Sequence, residues 1–349
     1  MADLDLHRLG WSAIFQQQLT LEDLEHSQPA RVAGVTRTAI KLFSQQGEHL
    51  ISLGGRWFQM DAEFRPCVGD WVLIDLDATV IERVLDRKSL IKRLRPTKDS
   101  EVQLIAANLD TMFLVSSCND DFNLSRAERY LALAYETDIH VVVVLTKADL
   151  VDDPEEYAAQ MRTLRSGLDV ELVNALDSTT LDGVRAWCGP GQTVGLLGSS
   201  GVGKSTLVNS LMGTQVQLTK TIREEDGKGR HTTTDRSLHM LPEGGFLLDS
   251  PGMRELQIAD AQSGVAEMFD DIENLIRMCR FSDCGHNTEP GCAVIKALEN
   301  GQLDERRLSN YFKLQREERY NSETIAQRHA RARNFGKMVR QHKPKKPRV

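Results

Sequence analysis

The residues with the clearest chemistry are consecutive: Gly198, Ser199, Ser200, Gly201, Val202, Gly203, Lys204, Ser205 and Thr206. They follow an apolar run, Thr193 to Leu197, and lead into Leu207 to Met212, so the order predicted is strand, glycine-rich turn, helix. That context is what a phosphate-binding P-loop needs. Three glycines allow a tight loop whose backbone N–H groups turn inward as an anion nest, at a helix N-terminus whose dipole also favours phosphate. Lys204 adds a point charge near the β- and γ-phosphates and counts among the catalytic groups, and the Ser205 hydroxyl is positioned to ligate Mg²⁺.

A second constellation precedes the first. Thr146, Lys147, Ala148 and Asp149 end a buried apolar strand and resemble the base-reading motif of GTPases, usually Asn-Lys-x-Asp, at the strand end where open sheets bind ligands. A carboxylate buried there accepts from the N1–H and exocyclic amine of guanine, and adenine offers no such pair of donors. Thr146 stands where the motif usually has Asn, and a hydroxyl replaces only part of the amide bonding that ties this loop to the P-loop. Asn174 and Ala175, at the end of the next strand, sit where GTPases place a Ser-Ala-type loop against the base.

After the P-loop, a glycine-rich charged stretch ends in His231, Thr232, Thr233 and Thr234. Any of the three threonines can supply the switch hydroxyl that reaches Mg²⁺ when the γ-phosphate is present. Asp249 closes a further strand and fits the carboxylate that holds Mg²⁺, with the Gly252 N–H placed for the γ-phosphate. A third constellation is Cys279, Cys284, His286 and Cys292, whose three thiolates and imidazole complete a tetrahedral Zn²⁺ shell, one ion per chain. No ligand position is left open, so that site is expected to be structural, folding a loop with little core of its own.

The elements that must carry these groups follow from texture. At 349 residues the chain has room for two or three domains. Its 40% hydrophobic and 27% charged residues are ordinary for a soluble protein. No apolar segment approaches the roughly 20 residues of a membrane span, and the acidic start lacks a signal-peptide pattern, so a cytoplasmic protein with no membrane partner is expected. Leu9, Trp11, Phe15 and Leu19 are spaced like one helical face packing on the body. Short strands separated by turns, including Arg56 to Gln59, then suggest a small closed barrel of the OB-fold type, with a basic cluster from Arg87 to Lys98 at its exit. From Glu101 strands and helices alternate, the mark of a parallel sheet with crossover helices. Leu298 to about Arg333 reads as helical. The last nine basic residues, Arg328 to Arg348, carry +9 with no acid among them, which leaves −16 on the rest of a chain of net charge −7. A basic tail on an acidic body reads as an arm for nucleic acid. The expected divisions are an extension over 1–29, the OB-fold over 30–98, a nucleotide-binding domain over 99–260, a zinc-binding helical domain over 261–335 and the tail over 336–349.

The motif order is unusual, because the base-reading motif comes before the P-loop. A circular permutation explains this, since it keeps every spatial neighbour and only moves the termini to a loop. With that order, the Gly229 to Thr234 stretch, Asp249 to Glu255 and the Cys/Cys/His/Cys loop together, the chain resembles the RsgA family of ribosome small-subunit-dependent GTPases over about residues 30 to 330. The resemblance implies an OB-fold, a circularly permuted GTPase domain and a C-terminal α-helical zinc domain. It also implies GTP and GDP as ligands, the 30S ribosomal subunit and its 16S rRNA as partners, and subunit-stimulated GTP hydrolysis late in 30S maturation. Met253 stands where many GTPases carry the glutamine that orients the attacking water, so unassisted turnover is expected to be slow. His231 is the candidate brought in to orient that water. The competing expectations are a P-loop ATPase or kinase with an RNA-binding arm, and an assembly scaffold that only binds GTP. Monomer is the default oligomeric state.

Overall fold

A computed structural model of the chain describes residues 5–36, 38–94, 102–213, 236–249 and 261–322. Five antiparallel strands come first: β1 (Ser27–Val35), β2 (Ala39–Ser44), β3 (Gly47–Ser52), β4 (Trp71–Asp75) and β5 (Ile81–Val84), paired in the order β5–β4–β1–β2–β3. Alternate residues of all five, among them Val32, Ile40, Ile51, Val72 and Ile81, point into one apolar cluster. The expected β-barrel unit is therefore present as a sheet wrapped on its own core, although no ladder joins β3 to β5 among the described residues.

Two local expectations fail here. Residues Arg56 to Gln59 form part of a one-turn helix, Gly55–Gln59, instead of a strand. One turn presents a single inward side chain, and Trp57 takes that place in the barrel core while Phe58 stays exposed. Near the N-terminus the helical face from Leu9 to Leu19 is broken at Gly10, whose φ of +92° ends the turn, and only Ala13–Gln16 is helical. The packing survives the break: Leu9 and Phe15 are buried, and Trp11 meets Trp71 edge-on at 4.7 Å.

A separate hairpin, β6 (Leu90–Leu94) with β7 (Val102–Ala107), carries the chain out of the barrel. It seats against Gly69, where a Cβ would lie 2.0 Å from the Ala107 carbonyl oxygen, so only glycine lets the two backbones approach. Six strands follow: β8 (Thr111–Ser117), β9 (His140–Thr146), β10 (Asp169–Leu172), β11 (Thr193–Leu197), β12 (Arg236–Met240) and β13 (Phe246–Asp249). They lie in the order β10–β9–β8–β11–β13–β12, all parallel except β12. The middles of strands β8 and β9, Met112–Val115 and Val141–Leu145, are apolar because both faces are covered. Met112, Leu114, Val141 and Val143 pack under helices Leu124–Tyr135 and Pro154–Arg162, while Phe113, Val115, Val142 and Val144 pack under helix Lys204–Met212.

The antiparallel strand β12 also pairs with β1, through Gly34 opposite Ser237, so barrel and nucleotide-binding sheet share one continuous sheet. Buried Arg31 reinforces the junction. Its guanidinium donates to the Leu9 carbonyl and, at 2.6 Å, to the Thr193 hydroxyl at the start of β11, and burial pushes its pKa down to about 10. The C-terminal part is helical as expected: Gln262–Met268, Asp270–Arg277, Ala293–Glu299 and Glu305–Ser322. Gly264 sits against helix Leu124–Tyr135, where a Cβ would lie 2.1 Å from the Ala132 carbonyl oxygen. Among the described residues no helix is long and apolar enough to cross a membrane. The basic tail lies outside the described residues.

Candidate functional site

The carboxyl ends of β8, β9, β10, β11 and β13 lie side by side, and the sequence motifs sit on those ends, where open parallel sheets bind ligands. Strand β11 runs into the loop 198–203 and then into helix Lys204–Met212, whose N-cap Gly203 has φ +91°. Gly198 is also obligatory, because a Cβ there would lie 2.2 Å from the Val115 carbonyl oxygen. Ser200 and Gly201 form the exposed lip of the loop, and Val202 is buried beneath it. The Lys204 ammonium lies inside, donating to the Gly198 carbonyl at 2.7 Å and to that of Ser199. Ser205 and Thr206 are half-buried in the first helical turn. A nest of inward amides, a helix N-terminus and an enclosed ammonium together suit a polyphosphate.

The base-reading tetrapeptide is fastened to this loop. Thr146 is fully buried, and its hydroxyl lies 2.5 Å from the Val202 carbonyl, to which it donates, and 3.2 Å from that of Ser116. One hydroxyl proton serves one acceptor at a time, which is the partial replacement of an amide expected from the sequence. Lys147 adopts a left-handed φ of 59° and donates from Nζ to the Gly201 carbonyl at 3.0 Å. The Ala148 amide donates to the Val173 carbonyl at 3.3 Å. Asp149 departs from expectation: it is exposed, on the short turn Ala148–Leu150. The protein by itself does not bury this carboxylate. The Asn174–Ala175 loop is braced by Thr180, whose hydroxyl accepts from the Asn174 amide at 3.1 Å, and by Ser210 of the P-loop helix, which donates to the Ala175 carbonyl at 2.5 Å.

Asp249 ends β13 opposite Ser237 of β12 and one strand away from the P-loop strand, which puts its backbone at the same sheet edge. His231, Thr232, Thr233, Thr234, Gly252 and Met253 lie outside the described residues.

No sequence motif contains Asp121 or Arg126. They flank the turn after β8, and both engage Ser199: its hydroxyl donates to Asp121 Oδ2 at 2.6 Å and accepts from Arg126 Nη1 at 2.9 Å. Those two partners hold the Asp121 carboxyl below the usual carboxylate range. The position at a parallel-strand end was the one available signal.

The four predicted metal ligands converge. Their donor atoms all lie within 4.8 Å of one another, with Cys279 Sγ 3.8 Å from Cys292 Sγ, and His286 Nδ1 3.6 and 3.5 Å from those two sulfurs. A tetrahedral zinc with Zn–S of about 2.3 Å and Zn–N of about 2.0 Å separates two sulfurs by about 3.8 Å and sulfur from nitrogen by about 3.5 Å. The face formed by Cys279, His286 and Cys292 thus has the edge lengths of a zinc tetrahedron, and none of the cysteines is in a disulfide. Cys292 caps helix Ala293–Glu299, where the Ile295 amide donates to its sulfur at 3.5 Å. His286 has φ +57°, and the loop that holds it is organised by Glu289, whose carboxylate accepts from the amides of Gly285, Asn287 and Thr288 at 2.9 to 3.0 Å.

Comparison with known proteins agrees with this layout. The model of the RsgA GTPase family matches residues 84–259. The chain is 50% identical over 335 residues to the small ribosomal subunit biogenesis GTPase RsgA 2 of Vibrio vulnificus, covering 96% of this chain and 94% of that one. It is 40% identical over 350 residues to RsgA 2 of Listeria monocytogenes, covering 99% of each. Among solved structures it is similar to YjeQ from Thermotoga maritima, with a TM-score of 0.61, 27% identity, and coverage of 82% of this chain and 97% of that one. It also shares the fold of YloQ, a circularly permuted GTPase, with a TM-score of 0.57, 22% identity, and coverage of 86% and 97%.

Proposed function

The chain belongs to the RsgA family of GTPases, and from that premise we propose how its motifs act as a guanine-nucleotide switch on the small ribosomal subunit. The protein is a GTP hydrolase of small-subunit biogenesis. The observation that carries the reading is the pair of hydrogen bonds from Thr146 and Lys147 to the carbonyls of Val202 and Gly201. They join base recognition to phosphate recognition in one rigid unit although the two motifs occur in permuted order, and they favour GTP over the ATPase or kinase reading.

In this reading the loop 198–203 and Lys204 hold the phosphates, Lys147 lies along the base, and Asp149 accepts from guanine. The hydroxyl of Ser205, the Asp249 carboxylate and one of Thr232, Thr233 and Thr234 would hold Mg²⁺, which supplies charge against the β- and γ-phosphates. The Gly252 amide reaches the γ-phosphate, and His231 orients the attacking water in place of the side chain that Met253 cannot provide. Cys279, Cys284, His286 and Cys292 would hold one structural Zn²⁺. Partners are the 30S subunit and 16S rRNA, engaged by the barrel, the helical module and the basic tail, with the protein acting as a cytoplasmic monomer. The segment after Asp249 leads into helix Gln262–Met268, so the γ-phosphate state has a covalent route to the zinc module.

GTP turnover with and without purified 30S subunits tests this. Stimulation by the subunit is expected, and its lack would overturn the ribosomal part. Lys204→Ala is expected to abolish turnover together with maturation activity; maturation retained without turnover would favour the scaffold reading. His231→Ala should lose the stimulated rate with nucleotide affinity intact, and an unchanged stimulated rate removes His231 from the mechanism.

A further inference from the structure

The two halves of the phosphate-binding loop are held by different parts of the protein. Its second half is fixed by the base-reading motif, through Gly201 and Val202. Its first half is fixed through Ser199, by residues no motif contains. The Ser199 hydroxyl donates to Asp121 Oδ2 at 2.6 Å and accepts from Arg126 Nη1 at 2.9 Å. The same Nη1 lies 2.9 Å from both Asp121 oxygens, so the three groups close a triangle. Arg126 is itself placed by the first turn of helix Leu124–Tyr135, where the N-cap Asn123 side chain accepts from the Arg126 amide at 2.8 Å.

We infer that Asp121 and Arg126 are positioning residues for nucleotide binding, holding the first half of the phosphate loop through Ser199. The inference rests on the guanine-nucleotide reading of that loop. Physical need for such a hold is clear: three glycines make the loop costly to order, and every amide that must face phosphate depends on the order being prepaid. Charge requires both partners. A carboxylate beside a polyphosphate site repels its ligand, and Arg126, with Lys147 further off, compensates Asp121. Loss of Arg126 would therefore remove one of the two holds on Ser199 and also leave Asp121 under-compensated. Neither residue is placed at the γ-phosphate by any motif, so the effect belongs to binding and not to the chemical step. All of Arg126's bonds to Ser199 and to the Asp121 carboxylate run through one nitrogen, so a lysine ammonium can replace it.

Titration of full-length protein with fluorescent GTP and GDP analogues, alongside single-site turnover, tests this. Both side chains are more than a third exposed, 36% and 39%, so truncation leaves the core intact. Arg126→Ala is expected to weaken both nucleotides about tenfold, the worth of one charged hydrogen bond. Its kcat at saturating GTP should stay within about twofold of wild type. Arg126→Lys should recover binding to within about threefold, and Asp121→Ala added to Arg126→Ala should cost little more, because both act through Ser199. Wild-type affinity in Arg126→Ala, equal weakness in Arg126→Lys, or a fall in kcat with affinity unchanged would overturn the inference. Wild-type protein run in parallel separates the two levels: failure of wild type to bind guanine nucleotide would overturn the underlying reading as well.

Discussion

Glu128 accepts a hydrogen bond from Arg307 at 3.0 Å, and the glutamate side chain is wholly shut off from water. Arg306 grips the same carboxylate through two nitrogens at 3.0 Å, and Asn310 donates to it at 2.5 Å. Glu128 lies on helix Leu124–Tyr135 of the nucleotide-binding unit and its partners on helix Glu305–Ser322, so this knot fastens the helical module to the GTPase unit. Arg307 reaches on to Asp271 at 2.8 Å, in the helix that leads to Cys279.

Removing the carboxylate leaves two guanidiniums and the Asn310 amide without the acceptor they share. Breaking such a buried pair costs roughly 3 to 5 kcal/mol, and the lower end applies because Arg306 keeps part of its hydration. Glu128→Ala is expected to lose about 3 kcal/mol in denaturant unfolding at saturating zinc. Glu128→Gln, which keeps two acceptor lone pairs, should lose less. An unshifted midpoint for Glu128→Ala would show that the modules are held by apolar packing alone.

The nucleotide-binding half was legible in the sequence because its signals are local. Glycine spacing around Lys204 and the apolar runs in the middle of β8 and β9 each fit within about ten residues. The zinc cluster was legible for the same reason, with its ligands inside one short loop. Asp121, Arg126 and Glu128 were not, since a charged residue on a turn or an amphipathic helix looks solvated until its partner, up to 182 residues away, is placed. The exposure of Asp149 was equally hidden: the motif states which atoms meet the base and says nothing of what else covers them. The helix at Trp57 was misread because two adjacent aromatic residues within four fit a strand as well as a turn.

In the proposed function Asp149 would carry base choice by hydrogen-bond polarity. Guanine presents two donors, N1–H and the exocyclic amine, which a carboxylate accepts together. Xanthine presents one donor and, at C2, a carbonyl acceptor. An asparagine amide offers the matching acceptor and donor, so Asp149→Asn should weaken GTP about a hundredfold and bind XTP better than GTP. Competition of GTP, XTP and ATP for one fluorescent nucleotide measures it. Retained GTP preference would remove Asp149 from base recognition.

Glu289 binds no metal, yet it sets the loop that carries His286. Its carboxylate collects the amides of Gly285, Asn287 and Thr288, and these hold its pKa down to about 2, the Asn287 amide foremost. Without it, His286 must hold its left-handed φ of 57° unaided. Residues that orient a ligand typically change metal affinity by roughly tenfold or more. Zinc transfer from Glu289→Ala to a chromogenic chelator should accordingly run about tenfold faster than from wild type, with Glu289→Gln between them. Equal transfer rates would place the loop's order elsewhere.

Acid should loosen the N-terminal segment through Asp23, at the low end of the pH range. Its carboxylate accepts from Arg83 at 2.6 Å and from the Thr20 amide at 2.8 Å in the capping box of helix Leu21–His26. Arg83 foremost, then the Thr20 amide, lowers its pKa to about 2. An unfolded aspartate titrates near 3.9, so the folded form stays charged where the unfolded chain already takes a proton. The contribution is therefore complete above about pH 4 and lost as the pH falls towards about 2. Asp23→Asn has no such titration. The stability gap between wild type and Asp23→Asn should be constant from about pH 7 to pH 5 and narrow below about pH 4, since zinc release in acid affects both proteins alike. Urea unfolding at a series of pH values reads that gap, and one that persists unchanged to about pH 3 would show that the Asp23–Arg83 pair does not couple to folding.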